Sequence, residues 1–295
     1  MNTPPSTKCM VCRSNTTPFL VKNGFALVAC PVCRLIRTDL HDDYTAFVEG
    51  YYQKGYFTGD RSRIAYVNYE DDKPYITANM RKLFSFVRPY KSTGALLDIG
   101  CALGFSTQLA MELGYQAYGI DPSGFAVEKA KKLVGKTKIR KAKISDIAGS
   151  SRKTYDVVTM FDVFEHLADP HADLQTVKTI LKDDGIMIIA TGDTGSMFAR
   201  LLGRRWTFYN PPQHLYYFNR ENLTNLLGET GFKPIAWTSI GKWLSLRYVL
   251  HLARTGGESA IAEFLYRLTE LLDLGKLPLY LPTHDNMVVI ARKKS

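Results

Sequence analysis

Short apolar runs alternate with stretches of helical spacing through most of this chain, and the alternation predicts its architecture. Ala95 to Ile99 is brief and apolar apart from Asp98, as a strand covered on both faces should be, and Phe105, Leu109 and Leu113 then recur at helical spacing. Gln116 to Asp121 reads as a second strand, after which Pro122 is placed to open a helix at its first position. A third strand falls around Lys138 to Lys141, a fourth at Tyr155 to Met160 and a fifth at Ile186 to Ala190. Before the fifth, Asp169 and Pro170 read as the cap and first residue of a helix with Leu174, Val177 and Leu181 on one face. Phe232 to Ser239 and Asn286 to Arg292 are two further strands, and Gly241 to Pro282 between them reads as two helices forming a lid or a dimer surface. Such alternation predicts an α/β fold with ligands at the carboxyl edge of a parallel sheet.

The chemistry concentrates at the ends of those strands. In Leu96-Leu97-Asp98-Ile99-Gly100-Cys101-Ala102-Leu103-Gly104 a strand ends in a glycine-rich turn. Gly100 and Gly104 let the backbone pass close to a ligand, and the amides opening the next helix favour polar or anionic groups. A tight turn of this kind also serves simply to pack a helix on a strand. Asp121, 21 residues beyond Gly100, stands where a ribose-binding acid is expected after such a turn. Asp146 follows the third strand, and the fourth closes with Phe161-Asp162-Val163-Phe164-Glu165-His166.

In this order the chain resembles the class I methyltransferases that use S-adenosylmethionine, from about Lys91 to Ser295. The resemblance implies a Rossmann-like, mostly parallel seven-stranded sheet with an antiparallel last strand. It also implies that Asp98 and Gly100 adjoin the methionine part of the cofactor, that Ala102 and Gly104 of the same turn are cofactor-binding, that Asp121 accepts both ribose hydroxyls, and that Asp146 bonds the adenine amino group. Asp162 then falls near the transferred methyl as a catalytic candidate, and Phe161 is a cofactor-binding one. Ala102 stands where the family's loop usually has its middle glycine, which implies a slightly tighter contact. A dinucleotide-binding fingerprint, the competing reading, wants a third glycine at position 105, where this chain has Phe105.

An independent signal lies at the amino terminus. Cys9-x2-Cys12 and Cys30-x2-Cys33 are 17 residues apart, within the interval of a four-thiolate zinc site. Four sulfurs would fill a tetrahedral zinc completely, so the metal is expected to be structural. Two disulfides are the other reading, and they need an oxidising compartment; the polar, proline-containing stretch Met1 to Lys8 does not resemble a signal peptide. We therefore expect zinc, reduced thiols and a cytoplasmic location. Arg13 and Arg34 follow the two knuckles where glycine is common. The fifth cysteine, Cys101, reads as a small packing residue.

Composition adds limits. A chain of 295 residues, 45% hydrophobic, can bury one full α/β core and carry a small extra module. We divide it into a zinc-binding module over 1–43 and a methyltransferase domain over 44–295 with a helical insertion at about 241–282. Apolar stretches stop well short of the ~20 residues that cross a bilayer. The formal charge of +10 is reduced only by two if zinc takes four thiolates, so the chain is basic. Its densest cluster, Lys129, Lys131, Lys132, Lys136, Lys138, Arg140, Lys141 and Lys143, runs from the second helix into the third strand, toward the edge opposite the expected active site. That placement argues against a nucleic-acid substrate, although phosphates could bind there non-specifically. Thr38 to Asp72 is a tyrosine-rich linker, with Tyr44, Tyr51, Tyr52, Tyr56, Tyr66 and Tyr69, which either packs the module on the sheet or flaps over the cofactor.

The acceptor side is read from two loops. Arg200, Arg204, Arg205 and Trp206 follow the fifth strand; the arginines could bind phosphate and an exposed tryptophan a sugar or lipid, or Trp206 is core. Tyr209-Asn210-Pro211-Pro212-Gln213-His214-Leu215-Tyr216-Tyr217-Phe218 then holds His214 in a proline-fixed, aromatic setting. The resemblance narrows here to a subgroup with a cysteine-rich amino terminus, several of which modify sugars or other small metabolites. His214 is the candidate base, with His166 as a second histidine within reach that, with Glu165, could instead fix its own loop. The expected function is methylation of a small metabolite, a sugar or a glycosylated or lipid-linked acceptor. The alternative is an RNA or protein methyltransferase targeted by the zinc module, or an adaptor with a vestigial methyltransferase domain.

Overall fold

A computed structural model of the chain describes residues 8–40, 51, 54–58, 68–148, 154–257 and 260–294. Its centre is a seven-stranded sheet in the order β10-β11-β8-β7-β4-β5-β6, made of β4 (Gly94–Ile99), β5 (Tyr115–Asp121), β6 (Ile139–Lys141), β7 (Tyr155–Phe161), β8 (Leu181–Gly192), β10 (Phe232–Ser245) and β11 (Pro278–Lys293). β4, β5, β6, β7 and β8 pair in parallel, and β11, last in the chain, runs antiparallel to both β8 and β10. The expected fold class is therefore the one found. Alternate residues of each central strand enter opposite cores: Leu96, Val157, Val288 and Ile290 on one face, Leu97, Ile99, Val158, Met160, Met287 and Val289 on the other. Both faces are covered, which is why these strands read as short apolar runs.

Local chemistry fixes the helix ends. Among the helices, α1 (Lys54–Thr58) and α2 (Lys73–Val87) precede β4, and α3 (Phe105–Glu112) follows it. Between β5 and β6, α4 (Gly124–Val134) is capped by Ser123, whose Oγ accepts from Ala126 N at 3.2 Å. Pro122 lies outside that helix; the serine cap, not the proline, sets its start. Asp169 caps α5 (Pro170–Ile180) as expected, accepting from Ala172 N at 3.0 Å. The two last strands run longer than their apolar cores because the hairpin continues beyond the sheet, pairing Lys242 with Leu281 and Ser245 with Pro278. The insertion is therefore two helices, α8 (Leu246–Gly257) and α9 (Ala260–Leu271), standing on a strand stalk.

A second sheet, β1-β2-β3-β9, joins the amino-terminal module to the rest. β1 (Thr17–Lys22), β2 (Phe25–Ala29) and β3 (Ile36–Thr38) come from the module. β9 (Tyr216–Tyr217) comes from the proline-rich loop, with α6 (Met197–Leu202) before it and α7 (Arg220–Glu229) after it. Ile36 pairs with Tyr217 and Arg37 with Tyr216, and Thr38 N donates to Leu215 O at 2.8 Å. The expected boundary near residue 43 thus falls after a strand that pairs far along the chain. Residues 41–50 lie outside the described ones, as do Tyr44, Tyr52 and Tyr66 of the linker. Among the described residues no helix is long and apolar enough to cross a membrane.

Candidate active site

The turn after β4 folds as a left-handed staircase: Gly100, Ala102 and Gly104 all have positive φ, at 70°, 46° and 86°. At Gly100 a Cβ would sit 2.4 Å from Val163 Cγ2, so only glycine fits. Ala102 accepts an uncomfortable conformation for an L-residue, a sharper consequence of the missing glycine than a tight contact. Its amide donates to Asp121 Oδ2 at 2.9 Å, while Asp121 Oδ1 accepts from Ser123 N at 2.8 Å. The acid at the end of β5 is thus locked to the glycine turn. Burial pushes its pKa up to about 6.

Asp98 is tied into the fold beside the turn. It is 2% exposed, and its oxygens accept the hydroxyls of Thr107 at 2.9 Å and Thr159 at 2.8 Å, clamping α3 and β7 to β4. Burial pushes it up to about 6 as well. It lies beneath the turn and does not line the large cavity above it. Gly104 is also outside that lining, and a Cβ there would press on Ala130 at 3.0 Å. Asp146 is exposed and accepts from Lys143 N at 2.8 Å, capping its own short turn. Its neighbours Lys143, Ile144 and Ser145 line the cavity, so one lysine of the basic cluster does reach the site.

That cavity, of about 1110 Å³, runs from Gly100, Ala102 and Asp121 past Phe161 and Asp162 to Glu165, His166 and His214. Tyr248 and Leu252 of α8 close part of it, and Tyr56 and Tyr69 of the linker wall another part. Asp162, at the end of β7, has φ of 53°. Both its carboxylate oxygens accept from Lys242 Nζ at 3.1 Å, and Oδ1 also accepts from Asn286 Nδ2 at 2.8 Å. Burial opposes the Lys242 charge, but Asp162 beside it wins and raises its pKa.

One step further, Glu165 is fully buried: Oε2 accepts the Thr191 hydroxyl at 2.7 Å, and Oε1 has no hydrogen-bond partner among the described residues. Burial pushes Glu165 up to about 8. His166 Nδ1 donates to Gln213 O and His214 Nδ1 to Phe208 O, each at 2.7 Å; because a carbonyl only accepts, the ring proton sits on Nδ1 in both. The ring centroids are 4.8 Å apart. Burial depresses both pKa values, that of His214 well below the usual imidazole range, so each ring is neutral and weakly basic. The Gln213 carbonyl ties His166 to the proline-rich loop, and Leu215 N reaches back to Glu165 O at 2.8 Å.

Of the two readings of Trp206, the core one is found. Trp206 is fully buried, and its Nε1 donates to Asp285 Oδ2 at 2.7 Å, so it is core and offers no platform. Arg200, Arg204 and Arg205 are exposed outside the cavity. At the amino terminus, by contrast, the four cysteines converge: Cys9 and Cys33 Sγ are 3.5 Å apart, Cys12 and Cys30 Sγ 3.3 Å, and none forms a disulfide. The knuckles are superposable in hydrogen bonding, with Arg13 N donating to Cys9 O and Arg34 N to Cys30 O at 3.0 Å. Arg13 and Arg34 take φ of 63° and 62°, the left-handed turn that glycine would adopt freely. Lys242 and Asn286 are candidates that sequence reasoning passed over, and Glu165 was read only as fixing its loop with His166; Lys242 needed the hairpin's true length.

A family model described as a methyltransferase domain matches residues 73–236, more than half of the chain. This chain belongs to the class I methyltransferases. Among curated methyltransferases it is 34% identical over 100 residues to the ubiquinone biosynthesis O-methyltransferase of Rhodopseudomonas palustris, covering 32% of this chain and 39% of that one. The enzyme of the same name from Cereibacter sphaeroides is 26% identical over 175 residues, covering 52% and 71%. The chain thus spans less than half the length of the first of these relatives. Solved methyltransferases share the fold: the 1,6-didemethyltoxoflavin-N1-methyltransferase of Burkholderia thailandensis at 15% identity, TM-score 0.53, covering 94% of this chain and 99% of that one. The magnesium protoporphyrin IX methyltransferase of Synechocystis gives 15% and 0.53, with 85% and 100% covered.

Proposed function

We propose that the protein transfers the methyl group of S-adenosylmethionine to a hydroxyl of a small acceptor, a sugar or a glycosylated or lipid-linked metabolite. The observation that carries this is the single cavity joining the Asp121-locked glycine turn to the Glu165, His166 and His214 cluster, with Asp162 between them. Asp121 keeps lone pairs for two ribose hydroxyls while its anchors hold it still. Gly100 and Ala102 border the methionine part, Lys143 to Ser145 border the adenine, and Phe161 and Asp162 flank the methyl. In the reaction the carbon–sulfur bond breaks with its pair going to sulfur, the acceptor oxygen bonds the carbon, and the hydroxyl proton leaves through the Glu165, His166 and His214 cluster to solvent. Alignment supplies most of the acceleration. The O-methyltransferase names of the curated relatives support an oxygen acceptor. An apolar face on α9, with Ile261, Phe264 and Leu271 at 73%, 64% and 80% exposure, supports a lipid-linked one.

We assign a structural zinc to Cys9, Cys12, Cys30 and Cys33. Sulfurs on one tetrahedral zinc are about 3.8 Å apart, close to the spacings found, and four thiolates leave no open position. Through β3 and β9 this module holds the loop that carries His214.

Calorimetry tests the donor. The wild type should bind S-adenosylmethionine and S-adenosylhomocysteine and ignore NADH; binding of NADH alone would overturn the reading.

A further inference from the structure

Proton transfer alone does not explain the arrangement at the acceptor end of the cavity. Glu165 Oε1 is buried without a hydrogen-bond partner among the described residues and faces His166 Nε2 at 3.9 Å, too far for a hydrogen bond. His214 has committed its Nδ1 proton to the Phe208 carbonyl, so the nitrogen it has left is an acceptor. One donor atom from each of Glu165, His166 and His214 lies within 4.8 Å of the others. A carboxylate oxygen and two imidazole nitrogens gathered this closely, with Glu165 buried, form a set that could hold a cation.

The geometry points to a divalent transition-metal site formed by Glu165, His166 and His214, which binds the acceptor's oxygen; it rests on the methyl-transfer reading above. Donors about 2.1 Å from one first-row ion are about 3 Å apart when adjacent and about 4.2 Å when opposite, so a slight closure of the three side chains achieves ligation. Both histidines donate Nδ1–H to a backbone carbonyl, the outer contact that fixes an imidazole for ligation through its other nitrogen. One carboxylate with two imidazoles suits manganese, iron, cobalt, nickel or zinc and is chemically unlike the four-thiolate cluster. Asp162 is occupied by Lys242 and Asn286 and is not one of the ligands. Three protein ligands leave positions open for an acceptor with two adjacent oxygens, such as a vicinal diol or a catechol. The cation would lower the pKa of the bound hydroxyl and make a strong protein base unnecessary.

The test is a Mn2+ titration of the full-length, zinc-loaded protein followed by electron paramagnetic resonance, with S-adenosylhomocysteine calorimetry on the same samples. Manganese disfavours thiolates, so its signal reports on this site. The wild type should bind Mn2+, and Glu165→Gln and His214→Gln should each weaken it at least about tenfold while S-adenosylhomocysteine affinity stays within about threefold. Should Glu165→Gln fail to fold, His166→Gln carries the same expectation. A wild type that binds S-adenosylhomocysteine but no Mn2+, Co2+ or Ni2+, or variants that bind Mn2+ as well as the wild type, would overturn the site. Mn2+ binding without S-adenosylhomocysteine binding would keep the site and overturn the methyl-transfer reading.

Discussion

The donor end and the acceptor end of the cavity are built by opposite means. At the donor end, Gly100, Ala102, Asp121 and Ser123 come from two adjacent strands and their turns, and each contact is closed within about twenty residues of chain. At the acceptor end, Glu165 and His166 meet His214 from a loop almost fifty residues away, and that loop is pinned by a strand from the amino-terminal module. A local site tolerates damage elsewhere in the molecule. A site assembled from distant segments depends on every clamp that assembles it.

Breaking the acceptor end should have the largest effect. His214→Ala is expected to lower turnover by about 10²- to 10⁴-fold with donor affinity nearly unchanged, whether the histidine takes the proton or holds a cation. Turnover is read as S-adenosylhomocysteine released with the best acceptor from a panel of sugars and catechols. A folded variant with wild-type turnover contradicts the assignment. Breaking the donor end comes next: Asp121→Ala should weaken S-adenosylhomocysteine binding by roughly 1.5 to 3 kcal/mol, as expected for charge-assisted hydrogen bonds.

Acidification sharpens the contrast further. Burial raises the Asp121 pKa to about 6 in the free protein, and the ribose hydroxyls, as donors, favour the ionised carboxylate. Donor binding should therefore release protons near that pH, and affinity should fall as pH drops below it. Calorimetry from pH 7.5 to 5 checks the slope, and Asp121→Asn should flatten it. The smallest effect is local: Arg13 sits at φ of 63°, and Arg13→Gly should stabilise the module by less than about 1 kcal/mol, visible as a small upward shift in melting temperature.

The same division explains what was legible in the sequence. Strand, glycine turn and acid at Asp121 follow from nearest neighbours, so they could be read directly, as could the cysteine pairs and the Asp169 cap. The loop holding His214 was readable as rigid from its prolines and aromatics. Burial of Trp206 was not, because its partner Asp285 is 79 residues further on. Lys242 escaped notice because β10 continues past its apolar stretch, held by β11 and not by the core. Asp98 and Asp146 were assigned by position alone; their partners in the fold, two threonine hydroxyls and a backbone amide, were not readable from spacing.

The central claim is that the zinc module serves the acceptor end and leaves the donor end standing. Titration of S-adenosylhomocysteine into Cys30→Ser protein, with zinc content and turnover measured on the same sample, tests it most directly. The expected result is loss of zinc, a fall in turnover of about 10- to 100-fold, and a dissociation constant within about threefold of the wild type. Loss of S-adenosylhomocysteine binding in step with the zinc, or full turnover without zinc, would contradict it.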